Sequence, residues 1–280
     1  YGYANAYGNP AASAYYYDNK EKGVKTVFSA YAEASILPEK LKFKTSYNLD
    51  FYFYDARNYT PENFVGGSQG TPSSSLSKTY GYGLYHIIDN TLTYSDTKGP
   101  HSFSAMLGQS TRMQYTASLT GNANNVPGFD EQSKYLVNGS YKNQSTTDAA
   151  SRYNGLSFFA RGTYNFKDKY LATVTLRADG SSKYQQKWGI FPSVGLAWNM
   201  SEEDFMKDVD WVNNLTVKSS YGEQGNNSVG LYAWQAFYDL TWNNANNNGG
   251  AVSSVENKRV SWEKNRNFNA GVEGRLFNNR

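Results

Sequence analysis

The sequence contains no cysteine and only two histidines. That excludes a disulfide framework and a thiolate metal site, and it suits an oxidising envelope. Charge is scarce as well. Asp, Glu, Lys and Arg make up 18% of the chain, against roughly 25% in ordinary soluble domains. The net charge of +3 is spread without basic runs, which argues against nucleic acid as a partner. No apolar run approaches the ~18 residues of a transmembrane helix. If this chain lies in a membrane, it crosses as a closed sheet of strands.

What fills the space is aromatic and neutral-polar: 25 Tyr, 15 Phe and 6 Trp, with abundant Asn, Ser, Thr and Gly. A transmembrane β-barrel explains the mixture, because each strand presents one face to lipid and the other to a polar lumen. Aromatic side chains suit the two membrane interfaces, where one end is dry and the other wet. The competing class is a secreted all-β domain. The chain opens at YGYANAY and stops at LFNNR, and it reads as a piece of a longer protein.

Alternation carries the fold. After a Gly-, Asn- and Tyr-rich opening over 1–23, VKTVFSAYAEASI places Val24, Thr26, Phe28, Ala30, Ala32, Ala34 and Ile36 on one face. Lys25, Val27, Ser29, Tyr31, Glu33 and Ser35 share the other. LPEK forms a tight turn. LKFKTSYNLDFYF then alternates again, with Leu41, Phe43, Thr45, Tyr47, Leu49, Phe51 and Phe53 opposite Lys42, Lys44, Ser46, Asn48 and Asp50. Period two means a strand with a dry and a wet face. Setting Ile36 against Leu41 brings Ala34 to Phe43 and Glu33 to Lys44, all favourable cross-strand pairs. A slip of one residue would mix the faces.

The same pattern predicts strands near 80–95, 101–117, 155–166, 170–181, 188–199, 214–222 and 260–276. Long loops fall at 55–79, 118–153 and 223–259, and MSEEDFMKDVDW reads as a brief helical excursion capped by Ser201. About nine antiparallel strands, with short links on one side and long ones on the other, is the layout of an outer-membrane barrel. Complete single-chain barrels of this kind have even counts, so nine agrees with part of a larger barrel. One partial barrel domain spans 1–280, with no plug domain present.

Mid-strand charge sorts onto one face. Ala172, Val174, Leu176 and Ala178 face lipid, as do Leu156, Phe158, Ala160, Gly162, Tyr164 and Phe166. Leu215, Val217 and Tyr221 join them, with Phe268, Ala270, Val272 and Leu276. The candidates for the lumen wall are Arg161, Arg177, Lys218, Glu273 and Arg275. An Arg or Lys on the lipid face at the bilayer midplane costs ~2–4 kcal/mol, and none of these strands places one there.

No motif carries catalysis. GGSQG at 66–70 matches the nucleophile-elbow pattern around Ser68, but that motif needs a strand before it and a helix after it. Here it lies in a flexible Gly/Ser/Pro loop. His86 and His101 have no carboxylate-and-histidine cluster to make a metal site, so a solvated or lumen-facing role is expected. Asn138 and Asn143 sit in glycosylation-like triplets that arise by chance in Asn-rich loops. Asp179 in RADGSS belongs to turn chemistry at the end of a strand. Tyr232, Trp234, Tyr238 and Trp242 lie in or beside the longest loop and are candidates for ligand contact, with packing of the loop on itself or against a partner lid as the equal alternative. No cofactor is expected.

FFARGTYNFKDKYLATVTLRADGSSKY (158–184), FPSVGLAWNMSEEDFM (191–206), LTVKSSYGEQGNN (215–227) and WEKNRNFNAGVEGRLFNNR (262–280), in this order, resemble the SusC/RagA-type TonB-dependent transporters. The likeness is specific over the last 120 or so residues and looser before them. Lys183 and Tyr184 stand where the family's pattern has Arg and Phe. The resemblance implies a barrel of about twenty-two strands around an N-terminal plug. It implies import of glycans or peptides across the cell outer membrane, a SusD-like lipoprotein lid and energy from TonB. The plug and the TonB box are not in this chain. A passive porin or adhesin-type barrel is the alternative. A secreted carbohydrate-active protein using Glu202, Glu203 and Asp204 ranks last, because those residues fall in an expected periplasmic turn.

Overall fold

The computed structural model describes residues 10–63, 70–244 and 247–277, with the backbone alone at 10, 12–13, 240–244 and 247–249. A short helix, α1 (Pro10–Tyr16), precedes eleven strands. They are β1 (Asp18–Leu37), β2 (Leu41–Thr60), β3 (Ser75–Lys98), β4 (His101–Asn124), β5 (Ser145–Phe166), β6 (Tyr170–Ser181), β7 (Trp188–Asn199), β8 (Val212–Asn226), β9 (Phe237–Asn244), β10 (Asn247–Ser254) and β11 (Glu263–Leu276). Nine form one antiparallel sheet in the order β1 to β8 and then β11, while β9 and β10 pair separately. Sequence neighbours are therefore sheet neighbours, except where the β9–β10 hairpin intervenes between β8 and β11.

Strands run further than alternation indicates. β1 begins at Asp18, β4 continues to Asn124, and β5 starts at Ser145, so the expected loop over 118–153 contracts to 125–144. Residues such as STTDAA at the start of β5 have no dry face, yet a ladder needs only backbone donors and acceptors. The expected 223–259 loop likewise contains the β9–β10 hairpin. Two 3₁₀ turns, Met200–Glu202 and Asp204–Met206, replace the expected helical excursion, and Ser201 caps neither. Glu203 holds this connection instead. Its carboxylate accepts from the Tyr170 hydroxyl at 2.7 Å, Lys169 Nζ at 3.0 Å and Trp198 Nε1 at 3.1 Å. Those donors, led by Tyr170, push its pKa down to about 2.

The β1–β2 hairpin closes with Lys40 N–H donating to Leu37 O at 3.1 Å. Its polar contacts join the two wet sets. Ser29 Oγ donates to Asn48 Oδ1 at 2.7 Å, Lys42 meets Glu33 at 3.5 Å and Lys25 meets Asp50 at 2.9 Å. Lys44 lies over the Tyr31 ring rather than on Glu33.

Later strands segregate in the same way. Phe158↔Ala178, Ala160↔Leu176, Gly162↔Val174 and Tyr164↔Ala172 pair across β5 and β6. Leu176↔Pro192 and Val174↔Val194 carry that face into β7, and Val194↔Tyr221 carries it into β8. Phe268↔Tyr221 and Val272↔Val217 end it at β11. None of these residues is charged, and large apolar side chains stand uncovered there: Leu176 is 51% exposed and Leu196 57%. Such a continuous apolar surface needs a nonaqueous neighbour.

Aromatic rings gather where short turns end the strands. Tyr94 and Phe103 are 5.8 Å apart, His101 and Phe166 4.9 Å, Phe166 and Tyr170 6.4 Å, and Trp211 and Phe277 5.8 Å. Rings with one polar edge suit a membrane interface.

The histidines correct an expectation. Alternation along β3 puts His86 on the face of Leu84, Ile88 and Leu92, where its Nδ1 lies 2.6 Å from the Tyr47 hydroxyl. A lumen-facing ring is thereby overturned: a polar partner on the same face satisfies it. His101 is exposed and lies 2.7 Å from the Tyr164 hydroxyl. Nearby, Thr45 Oγ1 donates to Asn90 Oδ1 and Asn90 Nδ2 to Gln109 Oε1, both at 2.8 Å. This neutral string satisfies amides on the same face.

The described residues pack as two compact units. One comprises residues up to Phe28 with Leu49–Tyr85 and Gln114–Arg152; the other comprises Ser29–Asn48, His86–Met113 and Tyr153 onward. The first holds a buried cluster of Tyr59, Leu76, Ala123 and Val126, against which Leu136 packs. Ser74 Oγ donates to Val126 O at 2.7 Å and Tyr59 Oη to the same carbonyl at 3.3 Å. A side chain at Gly128 would overlap the Tyr59 hydroxyl.

Candidate functional site

The charged face of the second unit is a wall of anchored side chains. Arg177 sits between Phe159 and Phe191 in the register. Its Nε donates to both oxygens of Asp179 at 2.7 and 2.8 Å, its Nη2 donates to Ser157 Oγ at 3.1 Å, and its guanidinium lies 5.5 Å from the Phe159 ring centre. That combination holds the guanidinium flat against the wall. Lys218 is ion-paired with Glu273. Arg161 stands exposed opposite Thr175, and Arg275 lies opposite Asn214. On the opposite face, beyond its charge-free stretch, Glu223 pairs with Arg266 two residues on from Tyr221↔Phe268 and meets Arg266 at 3.1 Å and Lys264 at 3.4 Å.

The RADGSSKY segment closes on itself. Ser181 is 2% exposed and its N–H donates to Lys187 O at 3.0 Å, while Lys183 N–H donates to Ser181 Oγ at 3.2 Å. Tyr184 is buried, with its ring 5.3 Å from Trp262. Asp179 is thus Arg177's partner within a folded strand end, in keeping with its structural reading.

The loop aromatics are spread out. Tyr232 sits in a turn with φ of 60°, Trp234 is half-buried, and Tyr238 on β9 is 63% exposed. Trp242 lies on β9 opposite Gly249, with its side chain outside the described residues. Ser68 of the elbow-like motif also lies outside them. Among the described residues no group of three or more His, Asp or Glu could hold a metal ion. Glu203 and Asp204 are engaged by Lys169 and Lys207.

Two features escape a reading by alternation. In the first unit, Arg57 bridges Asp18 at 2.7 Å and Glu131 at 2.6 Å, and Lys134 reaches the same Asp18 at 2.6 Å. Glu131 is pushed down to about 2, mainly by its hydrogen bond from Arg57 and then by Lys20. Only the fold brings these distant residues together. The second is a pair of tyrosines, Tyr52 and Tyr54, on the wet side of β2. Their rings lie 6.3 Å apart and 25° from parallel. Tyr54 covers Gly81 and Tyr52 covers Gly83, so closely that a methyl on either glycine would overlap the ring. The sequence signal was present, as Tyr-x-Tyr in one strand against Gly-x-Gly in the next.

All 280 residues match the family model described as TonB dependent receptor-like, beta-barrel. The chain belongs to the TonB-dependent receptor family. TonB-dependent receptor P39 of Formosa agariphila is 28% identical over 98% of this chain and 26% of its own length. TonB-dependent receptor SusC of Bacteroides thetaiotaomicron is 30% identical over 50% of this chain and 15% of its own. The solved structure of the RagAB peptide transporter superposes with a TM-score of 0.85 at 22% identity, covering 95% of this chain and 30% of that one. The chain thus spans about a quarter of the length of P39. The sheet is therefore part of a TonB-dependent receptor barrel, whose strands are joined by short periplasmic turns.

Proposed function

We propose that the protein containing this chain imports large nutrients, glycans or oligopeptides, across the outer membrane with energy from TonB. It does so in a complex with a SusD-like lipoprotein lid on the extracellular side. The observation that carries this reading is the family match along the whole chain, joined to a sheet with a charge-free face on β5 to β7 and charged residues on the other. The similarity to SusC, a TonB-dependent receptor, and the shared fold with the RagAB peptide transporter support import of this kind.

In this reading the chain supplies wall and loops and performs no catalysis. Arg161, Arg177, Lys218, Glu273 and Arg275 line the passage. The segment carrying Tyr232, Trp234, Tyr238 and Trp242 meets substrate or lid, since loops on a rigid scaffold carry recognition.

The rival is a passive pore, and energy coupling separates the two. In cells expressing the full-length protein, deleting TonB should abolish uptake of the nutrient that supports growth. Uptake that continues without TonB favours the porin. Replacing the β9–β10 hairpin by a short linker should weaken substrate capture or lid binding. Unchanged uptake together with an unchanged complex would remove that loop from the mechanism.

A further inference from the structure

We propose that Tyr52 and Tyr54 form a stacking platform for an uncharged oligosaccharide on the lumen wall. This rests on the import reading above and narrows its substrate class at one place. The two rings, covering buried Gly81 and Gly83, border a depression of about 310 Å³. Thr116, Ser118, Ala149 and Ser151 line it beyond the rings. Its size lies at the small end of ligand sites, roughly 300–1,000 Å³, which suits one stretch of a longer chain rather than a whole molecule.

The shape comes from residue size. Strand β3 carries no side chain at Gly81 and Gly83, so the neighbouring tyrosines fold down over its backbone instead of standing into the lumen. Both tyrosines are half-buried, and the hydroxyl end of each ring fills the space where a glycine side chain would stand. On the next two strands the residues are short. Thr116 and Ser151 hydroxyls lie 2.6 Å apart, and Ser118 adds a third hydroxyl. The result is two neighbouring aromatic rings, 25° from parallel, beside a cluster of hydroxyls.

That chemistry selects among ligands. A sugar ring has an apolar C–H face, which stacks on an aromatic ring, and an edge of hydroxyls, which exchange hydrogen bonds with Thr, Ser and Tyr. No charged residue lines the depression. A peptide with charged side chains, or an acidic glycan, would lose hydration there without an opposite charge to replace it. The platform therefore fits a neutral glycan chain better than a peptide.

The test uses the full-length transporter in detergent, with calorimetric binding to hexaoses of glucose, mannose and xylose, and to a tryptic digest of casein. Three proteins are compared: wild type, a Tyr52→Leu/Tyr54→Leu double variant, and a Tyr52→Phe/Tyr54→Phe double variant. The wild type should bind at least one hexaose. The leucine variant should lose about tenfold or more in affinity, as expected for two aromatic contacts. The phenylalanine variant, which keeps both faces, should stay within a few-fold of wild type, and binding of the peptide digest should not change. Thermal melting of each variant reports on folding. Hexaose affinity unchanged in the leucine variant, or no hexaose bound by the wild type, overturns the proposal. So does a variant that melts earlier yet binds sugar normally, which would assign the rings to packing against another part of the protein. The import reading fails separately, if uptake in cells persists without TonB.

Discussion

The two compact units reach stability by different routes. The first is built like a small soluble domain. Tyr59, Leu76, Ala123 and Val126 are each under 5% exposed, and an ion network of Asp18, Lys20, Arg57, Glu131 and Lys134 lies alongside. The second unit, over β5 to β8, has no such cluster among its described residues. It keeps large apolar residues on one face, joined side by side through a regular ladder. A buried core expels water by itself; an uncovered apolar face gains the same free energy only when lipid covers it. The comparison teaches that the first unit has a small buried core of its own, whereas the apolar face over β5 to β8 gains free energy only under a nonaqueous cover.

The sharpest way to break the comparison is to damage each region by its own mechanism. Leu76→Ala should cost ~2–5 kcal/mol of local stability, as for other buried leucines. The readout is faster proteolysis within 125–144 while the wall stays resistant. Leu176→Arg should cost ~2–4 kcal/mol in liposome unfolding, whereas Thr175→Arg, one residue away on the lumen face, should be tolerated. Equal costs at 175 and 176 would remove the distinction between faces.

Acidification is a gentler probe of the first unit. Glu131 has its pKa depressed from an ordinary 4.5 to about 2. Its contribution is complete above the unfolded value and is lost as pH falls from about 4.5 toward about 2. Hydrogen exchange in the segment around Glu131 should therefore be unchanged between pH 8 and 6 after correction for intrinsic rates, and should rise at pH 3. The smallest effect is expected at Lys207→Ala. Its pair with Asp204 is highly exposed on both sides, and removing it should leave the unfolding midpoint unchanged.

How much of this was legible depends on which force left a pattern. Where one side of a strand must be apolar, the sequence alternates, so the faces of 156–178 and the wet sets of β1 and β2 could be read directly, although Glu33 meets Lys42 and not Lys44. Where strands leave the membrane zone that constraint ends, and the polar start of β5 and the Asn/Gly-rich β9–β10 hairpin looked like loop although their backbones pair. Glu203 looked like a helix-start acid, whereas its three donors converge from β6, β7 and the turn before β6. His86 was misread because a polar ring was assumed to seek water, and Tyr47 supplied its partner instead. Tyr52 and Tyr54 were hidden by their neighbours: in FYFY both faces are aromatic, so alternation of polarity disappears just where alternation of role persists. Ion pairs such as Arg57 with Glu131 join residues 74 apart, a distance at which one sequence carries no pairing signal.

Nitroxide labels placed singly at Leu176 and at Arg177 in the full-length protein, reconstituted in liposomes, test the division of faces most directly. The account predicts that the label at 176 relaxes with lipid-dissolved oxygen and is shielded from a water-soluble nickel reagent, while the label at 177 shows the opposite preference. Nickel access at 176 equal to or greater than that at 177 would contradict it.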